Sequence, residues 1–299
     1  MISIIMPTYN RFGVAQETIN KAIIAIESID AEIIVINDGA DLPFTISHPK
    51  LRIYKSPKKG VSFARNFGAS KSSYPILFFI DDDMWITTST MQLIIDLWQS
   101  KQLEHNSFNL NWIYPVALQE KLKLKKIGRY ILNANYHKLE GRSCLTVDYK
   151  LKTMDMLGVG SCSFCITKEN FNSIGGYNES IDFQGEDLDI AHRLEENHIR
   201  SKLATEITCY HNQEDRLEID GFIDRIYRGY LSQAQAGMLN SISLKQKFYT
   251  ILLPLYAIIK FLYNIIPNRP IFDQLTFRLI GILSSMTYLK ALRDANRNK

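Results

Sequence analysis

The sequence predicts an α/β protein in which a mixed, mainly parallel central sheet is followed by apolar C-terminal helices. Over the first hundred residues, short β-rich runs alternate with segments of helical periodicity. Several of these runs end in polar clusters, and a long apolar segment begins at residue 248. Strands that alternate with helices imply a parallel sheet covered on both faces.

Four strands are predicted in this first region: ISIIM at 2–6, AEIIVIND at 31–38, LRIY at 51–54 and PILFFI at 75–80. A helix is expected at 14–28, a shorter one opens at Gly60, and a third runs to Trp98 after the N-cap candidates 87–89. The polar stretches PTYNR, NDGA and DDDM follow three of the strands. We expect them to gather at one edge of the sheet, outside the carboxyl ends of the strands, where ligands bind in such folds.

The second half of the chain has fewer but clear patterns. GVGSCSFCITKENF at 158–171 predicts a buried strand that runs into a short helix. GEDLDIAHRLEENH at 185–198 predicts a helix with Leu188, Ala191 and Leu194 facing the core. SKLATEITCYHN predicts a strand that ends at His211.

Cysteine content and the N-terminus favour a protein of a reducing, cytoplasmic setting. Four cysteines in 299 residues are too few for a disulfide scaffold. Cys162 and Cys165 form a lone C-x-x-C; a zinc site would need a second ligand pair, so buried free thiols are the favoured interpretation. The first residues, MISIIMPTYNR, lack the basic start of a signal peptide and are interpreted as a strand.

The C-terminal region carries the basic charge of the chain. Residues 241–299 hold nine Lys and Arg against two Asp and Glu, so the rest of the chain is net acidic. Of the 19 residues at 248–266, 15 are apolar, but Pro254, Lys260 and Asn264 interrupt them, and a central lysine costs about 2.5–3.5 kcal/mol in a bilayer. A second apolar segment spans 275–289. A pair of helices at a membrane interface is favoured over dimer or core packing and over a true span, and anionic lipid is favoured over nucleic acid.

Three groups of residues are suited to chemistry. Asp81 and Asp83 follow a predicted strand and share a side of an extended segment, which suits a hard divalent cation such as Mg²⁺, although an acidic turn is the alternative. Glu186 and Asp187 lie in the first turn of a helix, where the dipole favours ionised carboxylates; they suit a general base or are ordinary N-terminal charge. His211 ends a strand and is either a ligand or structural.

In combination, these stretches resemble the family 2 inverting glycosyltransferases, which have the GT-A nucleotide-sugar fold. The resemblance extends from Ser3 to about Arg216 and is carried by ISIIMPTYNR, IIVINDGA, GVSFARNFGAS, FFIDDDM, GSCSFCITKENFNSIGGYNES, GEDLDIAHRL and CYHN in this order. It implies a GT-A domain at 1–218, with a nucleotide-binding half at about 1–100 and an acceptor-binding half at about 101–218. Residues 219–299 would form a C-terminal helical region that associates with a membrane or with another subunit.

The resemblance also implies roles for particular residues. Asp187 would be the catalytic base, with Glu186 as the alternative. Asp83 and His211 would bind Mn²⁺ or Mg²⁺. The nucleotide-binding residues would be Pro7, Tyr9, Arg11, Asp38, Arg65, Asn66, Asp81 and Asp82. The sequence departs from the family pattern at Asn37 and Ala40 of VINDGA, and at Met84 after the aspartates, which weakens any inference about the nucleotide.

The implied reaction transfers a sugar from a nucleotide-diphospho-sugar, most often a UDP-sugar, to a hydroxyl of a glycan or lipid-linked acceptor. The expected setting is surface polysaccharide or glycolipid synthesis, in the cytoplasm and peripheral at the inner face of the cell membrane, with a homo-oligomer as an open alternative for the C-terminal helices. A sugar-phosphate nucleotidyltransferase and a catalytically inactive scaffold remain alternatives. A dinucleotide dehydrogenase is disfavoured, because the first strand leads into PTYNRFG without G-x-G-x-x-G.

Overall fold

The structure is a computed structural model that describes residues 1–40, 44–134, 152–156, 158–181, 183–214, 217–235 and 253–297. Within these residues the chain forms two compact units. The first takes in 1–115, 152–181 and 186–212, and the second takes in 116–134, 183–185 and 213–297. The expected domain division at residue 218 stays a prediction.

The first unit is built on one sheet. Its strands are β1 (Ile2–Thr8), β2 (Ala31–Asn37), β3 (Leu51–Lys55), β4 (Ile76–Ile80), β5 (Met84–Trp85), β6 (Asn106–Ile113), β7 (Thr153–Asp155), β8 (Ser163–Thr167) and β9 (Arg200–His211). Its helices are α1 (Phe12–Ala25), α2 (Val61–Lys71), α3 (Thr88–Gln99), α4 (Gln102–His105), α7 (Lys168–Ser173) and α8 (Glu186–Glu196). The helices of the second unit are α5 (Val116–Lys123), α6 (Lys126–Asn133), α9 (Ile219–Gln235), α10 (Tyr256–Ile265) and α11 (Asp273–Arg297).

The strand order explains why the polar stretches meet at one edge. In the order β3-β2-β1-β4-β8-β6-β9-β5, the pairs β1–β2, β1–β4 and β2–β3 are parallel, and β8 joins β4 antiparallel. The carboxyl ends of β1, β2 and β4 therefore lie on one side of the sheet. Every residue of β1, β2 and β4 is buried, as expected for strands covered on both faces.

The predicted helices are present, and their starts follow local sequence signals. Gly60 caps α2 with φ of 117°, a conformation that glycine adopts without a side-chain clash. Thr87 caps α3 and forms a reciprocal capping pair with Thr90. The predicted face of α8 was wrong in part: Leu188 is 57% exposed, whereas Ile190 and Leu194 are buried. The helix is rotated relative to the prediction because Glu186, its first residue, is itself buried.

The pairing of β6 with β9 is irregular. From Leu110 to Ile113, β6 advances three residues, while its partner β9 advances six, from Ala204 to Tyr210. Asn111 donates a side-chain hydrogen bond to the carbonyl of Thr205 (2.8 Å), inside the extra length. Beyond this bulge β9 pairs with β5, where His211 lies opposite Met84.

The second unit has its own apolar core. Ile219 and Ile223 of α9 pack with Tyr263 of α10 and with residues of α11 around Ile280, and Ile127 of α6 joins them. The basic segment KLKLKKIGR at 121–129 ends in α6, whose Ile127 is part of this core. Within the described helices, none combines the length and the apolar character needed to cross a membrane. The predicted apolar segment at 248–266 begins outside the described residues, and Pro254 lies in a 3₁₀ turn (Leu253–Leu255) before α10.

Candidate active site

A carboxylate cluster forms where β4 ends. The chain turns directly after Ile80, with the Met84 amide donating to the Asp81 carbonyl (3.0 Å), and then pairs as β5 with β9. This pairing brings His211 beside Asp83, with 3.1 Å between Nε2 and the carboxylate Oδ1. Asp81, Asp83 and His211 each offer one ligand atom, and these atoms all lie within 4.8 Å of one another.

These three side chains differ in exposure. Asp83 is fully buried and His211 is 4% exposed, whereas the side chain of Asp81 is 30% exposed. The rings of Trp112 and His211 are perpendicular with 4.7 Å between their centroids, and the Tyr114 ring lies 6.4 Å from the imidazole. The aromatic contact fixes the imidazole plane, and Asp81 provides the side of the cluster that is open to solvent.

Asp82 points into the protein and is held by a different set of partners. Arg11 forms an ion pair with it and also donates to Asp83 (3.0 Å). Thr8 donates to its second oxygen (2.8 Å). Burial raises the pKa of Asp82 to about 7, opposed by Arg11 and reinforced by Asp83. Arg11 therefore neutralises part of the repulsion among the three adjacent carboxylates.

A buried arginine links the acidic loop to the start of α8. Arg65 is 2% exposed and donates to Glu186 (2.8 Å) through one guanidinium nitrogen and to Asp81 (2.9 Å) through the other. The ring of Tyr177 lies 5.2 Å from the guanidinium carbon. The Arg65 guanidinium thus bridges the two acidic regions that the sequence placed about a hundred residues apart.

Asp187 is held by neutral donors. Its Oδ1 accepts hydrogen bonds from the backbone amide of Ser161 (3.0 Å) and from the Ser161 hydroxyl, which in turn accepts from the Tyr177 hydroxyl (2.9 Å). Burial raises the pKa of Asp187 to about 7, and the neighbouring Glu186 adds to this, while Arg65 and Ser161 lower it. A carboxyl group whose pKa is raised in this way is suited to accept a proton near neutral pH.

Four other predicted site residues lie around this cluster without joining it. Pro7 is in β1 and Tyr9, just after it, is 50% exposed. Asp38 follows β2 and accepts from the backbone amide of Gly60 (2.9 Å). Asn66 is engaged with Tyr177, donating to its carbonyl (2.9 Å) and accepting from its amide (2.8 Å). Their contacts with a nucleotide stay predictions.

The departure at Asn37 has a local structural role. Its side-chain amide donates to the carbonyl of Ala40 (2.8 Å), and its oxygen accepts from the amide of Gly39 (3.0 Å). A carboxylate would accept the second hydrogen bond but not donate the first. The asparagine therefore closes the turn after β2 in a way that an aspartate at this position would not.

Sequence reasoning missed several residues that support the cluster. Thr8, Ser161, Tyr177 and Trp112 contact the predicted site residues but received no role. Ser161 and Tyr177 fall inside a stretch that carried the family resemblance, so their motif was visible although their contacts were not. The sequence indicated the role of Trp112 more weakly. Trp112 and Tyr114 are two positions apart in an extended segment, so their side chains are expected on the same side.

The residues at the end of β4 fit a divalent metal ion. Two carboxylates supply the oxygen ligands that Mg²⁺ and Mn²⁺ prefer, and an imidazole nitrogen suits transition metals better than Mg²⁺. Burial of Asp83 beside Asp81 is costly without a counter-charge. In the described chain, the guanidinium groups of Arg11 and Arg65 provide part of that charge. The donor set therefore favours Mn²⁺ over Mg²⁺.

Comparison with known proteins identifies the relatives of the chain. Residues 3–251 match the family model described as glycosyltransferase like family 2. An uncharacterized glycosyltransferase of Rickettsia bellii is 31% identical over 152 residues, which are 47% of this chain and 19% of that protein. The chain thus spans about a fifth of the length of this relative.

Two solved structures share the fold. GalNAc-T7 with UDP, GalNAc and Mn²⁺ has a TM-score of 0.53 at 12% identity, over 79% of this chain and 50% of that one. Staphylococcus aureus TarS has a TM-score of 0.52 at 15% identity, over 99% of this chain and 55% of that one. The chain therefore spans about half the length of each. These likenesses confirm the predicted GT-A type α/β fold with C-terminal helices.

Proposed function

Because the chain belongs to the glycosyltransferase-like family 2, we propose that it is a metal-dependent, inverting glycosyltransferase. Its donor would be a nucleotide-diphospho-sugar, with UDP as the first nucleotide to test because GalNAc-T7 was solved with UDP. The observation that carries the proposal is the convergence of Asp81, Asp83 and His211 at the end of β4.

Asp83 and His211 would hold the cation, with Asp81 completing the set at its exposed side. When bound, a divalent cation stabilises the negative charge that develops on a leaving diphosphate. Arg11 and Arg65 would keep the carboxylates in place through their present ion pairs. Tyr9, which is exposed, and Asp38 are proposed to contact the nucleoside, and Pro7 to shape the strand end that they flank.

Asp187, rather than Glu186, is proposed as the base. Glu186 is 7% exposed, and one of its oxygens is occupied by a hydrogen-bonded ion pair with Arg65. Asp187 instead has neutral partners, and both of its hydrogen bonds in the described chain fall on Oδ1. Its Oδ2 is then available to accept the proton of an acceptor hydroxyl.

The proposed step is a direct displacement. The acceptor oxygen forms a bond to the anomeric carbon of the sugar while the bond from that carbon to the diphosphate oxygen breaks. The acceptor proton passes to Asp187, and the electron pair of the broken bond leaves with the nucleoside diphosphate. Attack opposite to the leaving group inverts the anomeric configuration.

The acceptor is proposed to be a glycan or a lipid-linked sugar, used in surface polysaccharide or glycolipid synthesis. A lipid-linked acceptor would place the enzyme in the cytoplasm at the inner face of the cell membrane. These assignments rest on the family and on the apolar C-terminal helices.

A nucleotide-sugar panel tests the proposal. We expect Mn²⁺ together with one nucleoside diphosphate or its sugar to raise the melting temperature, since a ligand of the native state stabilises it. With an acceptor added, nucleoside diphosphate should be released and a glycoside of inverted configuration formed. Release of pyrophosphate would identify a nucleotidyltransferase instead, and no stabilisation by any nucleotide with Mn²⁺ would favour an inactive scaffold.

A further inference from the structure

The second unit presents an apolar surface to solvent. Seven large hydrophobic side chains in 253–278 are between 42% and 83% exposed, and we call them the α10 face. They are Leu255, Ile258, Phe261, Leu262, Ile265, Ile271 and Leu275. Large apolar side chains that are exposed and concentrated in one short segment are typical of an interaction site, whereas single exposed ones are ordinary surface variation.

Helix α10 is apolar on both of its sides. Tyr263 is buried in the core of the unit, and Tyr256, Ile259 and Ile266 pack against the same core. The exposed apolar residues of α10 therefore cannot be explained as the inner face of an amphipathic helix, because the inner face is already occupied. They form a second apolar stripe on the side away from the core.

This orientation of α10 is fixed by contacts at its C-terminal end. The Lys126 ammonium donates to the carbonyls of Tyr263 (2.5 Å) and Ile266 (3.0 Å), and it lies 4.3 Å from the centroid of the Tyr263 ring. A cation is favoured at the negative end of the helix dipole. Lys260 is turned to the side of the helix, where it forms an ion pair with Asp220 (2.6 Å).

The charges next to the α10 face are mostly positive, and the exposed Asp220 is balanced by its ion pair with Lys260. Arg269 and Arg278 are exposed. Asp273 is the single acid in the sequence 253–278, and Arg129 neutralises it through hydrogen bonds of 2.8 and 2.9 Å. An apolar surface with a cationic border is complementary to a bilayer with anionic headgroups.

We propose that the α10 face docks this protein onto an anionic membrane surface, with α10 lying in the plane of the interface. At ten residues, α10 is about 15 Å long, too short for a hydrocarbon core of about 30 Å. A second copy of the chain is a poorer occupant. A two-fold interface would place the patch against itself and bring cationic borders together. The docking extends the proposed function without depending on the transfer reaction.

Vesicle sedimentation of the full chain tests this proposal. We expect binding to phosphatidylcholine vesicles that contain about a third phosphatidylglycerol, and weaker binding to phosphatidylcholine alone, because the cationic border recognises anionic headgroups. Ile258→Gln with Phe261→Gln should lower the partition coefficient at least about tenfold, since two apolar anchors are removed. Ile24→Gln is the matched control, because Ile24 is also helical and 65% exposed but lies in the first unit, and it should leave binding unchanged.

A charge variant and a self-association measurement complete the test. Arg269→Gln with Arg278→Gln should reduce binding to the anionic vesicles by up to about thirtyfold, the factor for two headgroup-level cations, and should remove most of its salt dependence. All variants should keep the wild-type melting temperature, because each substituted side chain is exposed. Equal vesicle binding by wild type and the α10-face variant would overturn the proposal. So would wild-type sedimentation as a dimer that the same variant converts to a monomer without any loss of vesicle binding.

Discussion

The acidic loop after β4 and the first turn of α8 each contain adjacent carboxylates, but they differ in what holds them. In the loop, Arg11 forms an ion pair with Asp82 and donates a hydrogen bond to one oxygen of Asp83. His211 contacts the other oxygen of Asp83. In the helix, a charged partner holds Glu186, whereas neutral donors hold Asp187. Asp82, Asp83 and Glu186 each face a charged group, whereas the hydrogen bonds of Asp187 in the described chain come from Ser161 and fall on one of its oxygens. The loop is thus suited to bind a cation and Asp187 to move a proton.

The largest loss of activity is expected from a substitution in the acidic loop after β4. Asp83→Ala removes a fully buried carboxylate that contacts both His211 and Arg11, so we expect transfer and Mn²⁺-dependent nucleotide binding to be lost together. Thermal shift with nucleotide, with and without Mn²⁺, measures the binding. Asp96→Ala, in an exposed part of α3, is the control and should change neither. Full Mn²⁺-dependent binding in Asp83→Ala would remove this residue from the site.

The next largest loss of activity should distinguish the roles of Glu186 and Asp187, the two acids at the start of α8. Asp187→Asn should lower kcat by about 10²–10⁴, the usual contribution of a general base, while nucleotide binding is kept. Glu186→Gln keeps a hydrogen-bond acceptor for Arg65 and should cost only about tenfold, or about 1.4 kcal/mol. Steady-state kinetics beside nucleotide titration distinguishes them. If Glu186→Gln proves the more damaging, the roles assigned to the two residues are reversed.

A stability measurement tests the ion pairs through which Arg65 links the acidic loop to the first turn of α8. Arg65→Met leaves Glu186 buried without its charged partner, so the free energy of unfolding should fall by about 3–5 kcal/mol. Lys123→Met is the comparison, because it breaks an ion pair with Glu120 in which the two side chains are 57% and 64% exposed, and it should cost no more than about 1 kcal/mol. Urea denaturation of both variants measures the difference. Equal losses would show that burial does not strengthen the Arg65 pairs.

The smallest effect concerns the pH dependence set by Ser161. A base acts deprotonated, and the pKa of Asp187 is raised to about 7, so kcat should rise with pH from about 6 to 8. For stability, the raised folded pKa means that the contribution of Asp187 is fully present below its unfolded value and is lost as pH rises through about 7. Ser161→Ala removes a donor that lowers this pKa, and the acidic limb of the kcat profile should therefore move up by at most about one pH unit. Movement to lower pH would contradict the assigned hydrogen bond.

The fold was predictable to the extent that it depends on local pattern. The strands at 2–6, 31–38, 51–54 and 75–80 are all present, because each is a short β-rich run bounded by turn residues, although the strand at 51–55, unlike the other three, is not buried. The face of α8 was not predictable, because hydrophobicity gave Leu188 to the core, while a buried ion pair decided the rotation of the helix. Packing of α6 with helices more than eighty residues later likewise leaves no local signal.

The candidate site was predictable as a set of residues but not as a set of contacts. Asp81, Asp83 and His211 lie within reach of one another, but a turn closed by the Met84 amide, and not the alternation of an extended segment, brings the two aspartates together. The roles of Ser161 and Arg65 depend on partners 26 and 121 positions away, which spacing alone does not reveal. The sequence indicates which acids are present, and long-range partners decide how each is held.

The irregular pairing of β6 with β9 makes the candidate site depend on chain length as well as on residue identity. The bulge sets the register in which β9 pairs with β5. That register decides which residue of β9 lies opposite Met84. Deletion of one residue inside 205–208, with the pairing before it kept, would bring Asn212 to the position of His211. An amide would then replace the imidazole although no residue of the cluster had been substituted. Lineages of this chain should therefore tolerate substitutions in the bulge far more readily than insertions or deletions.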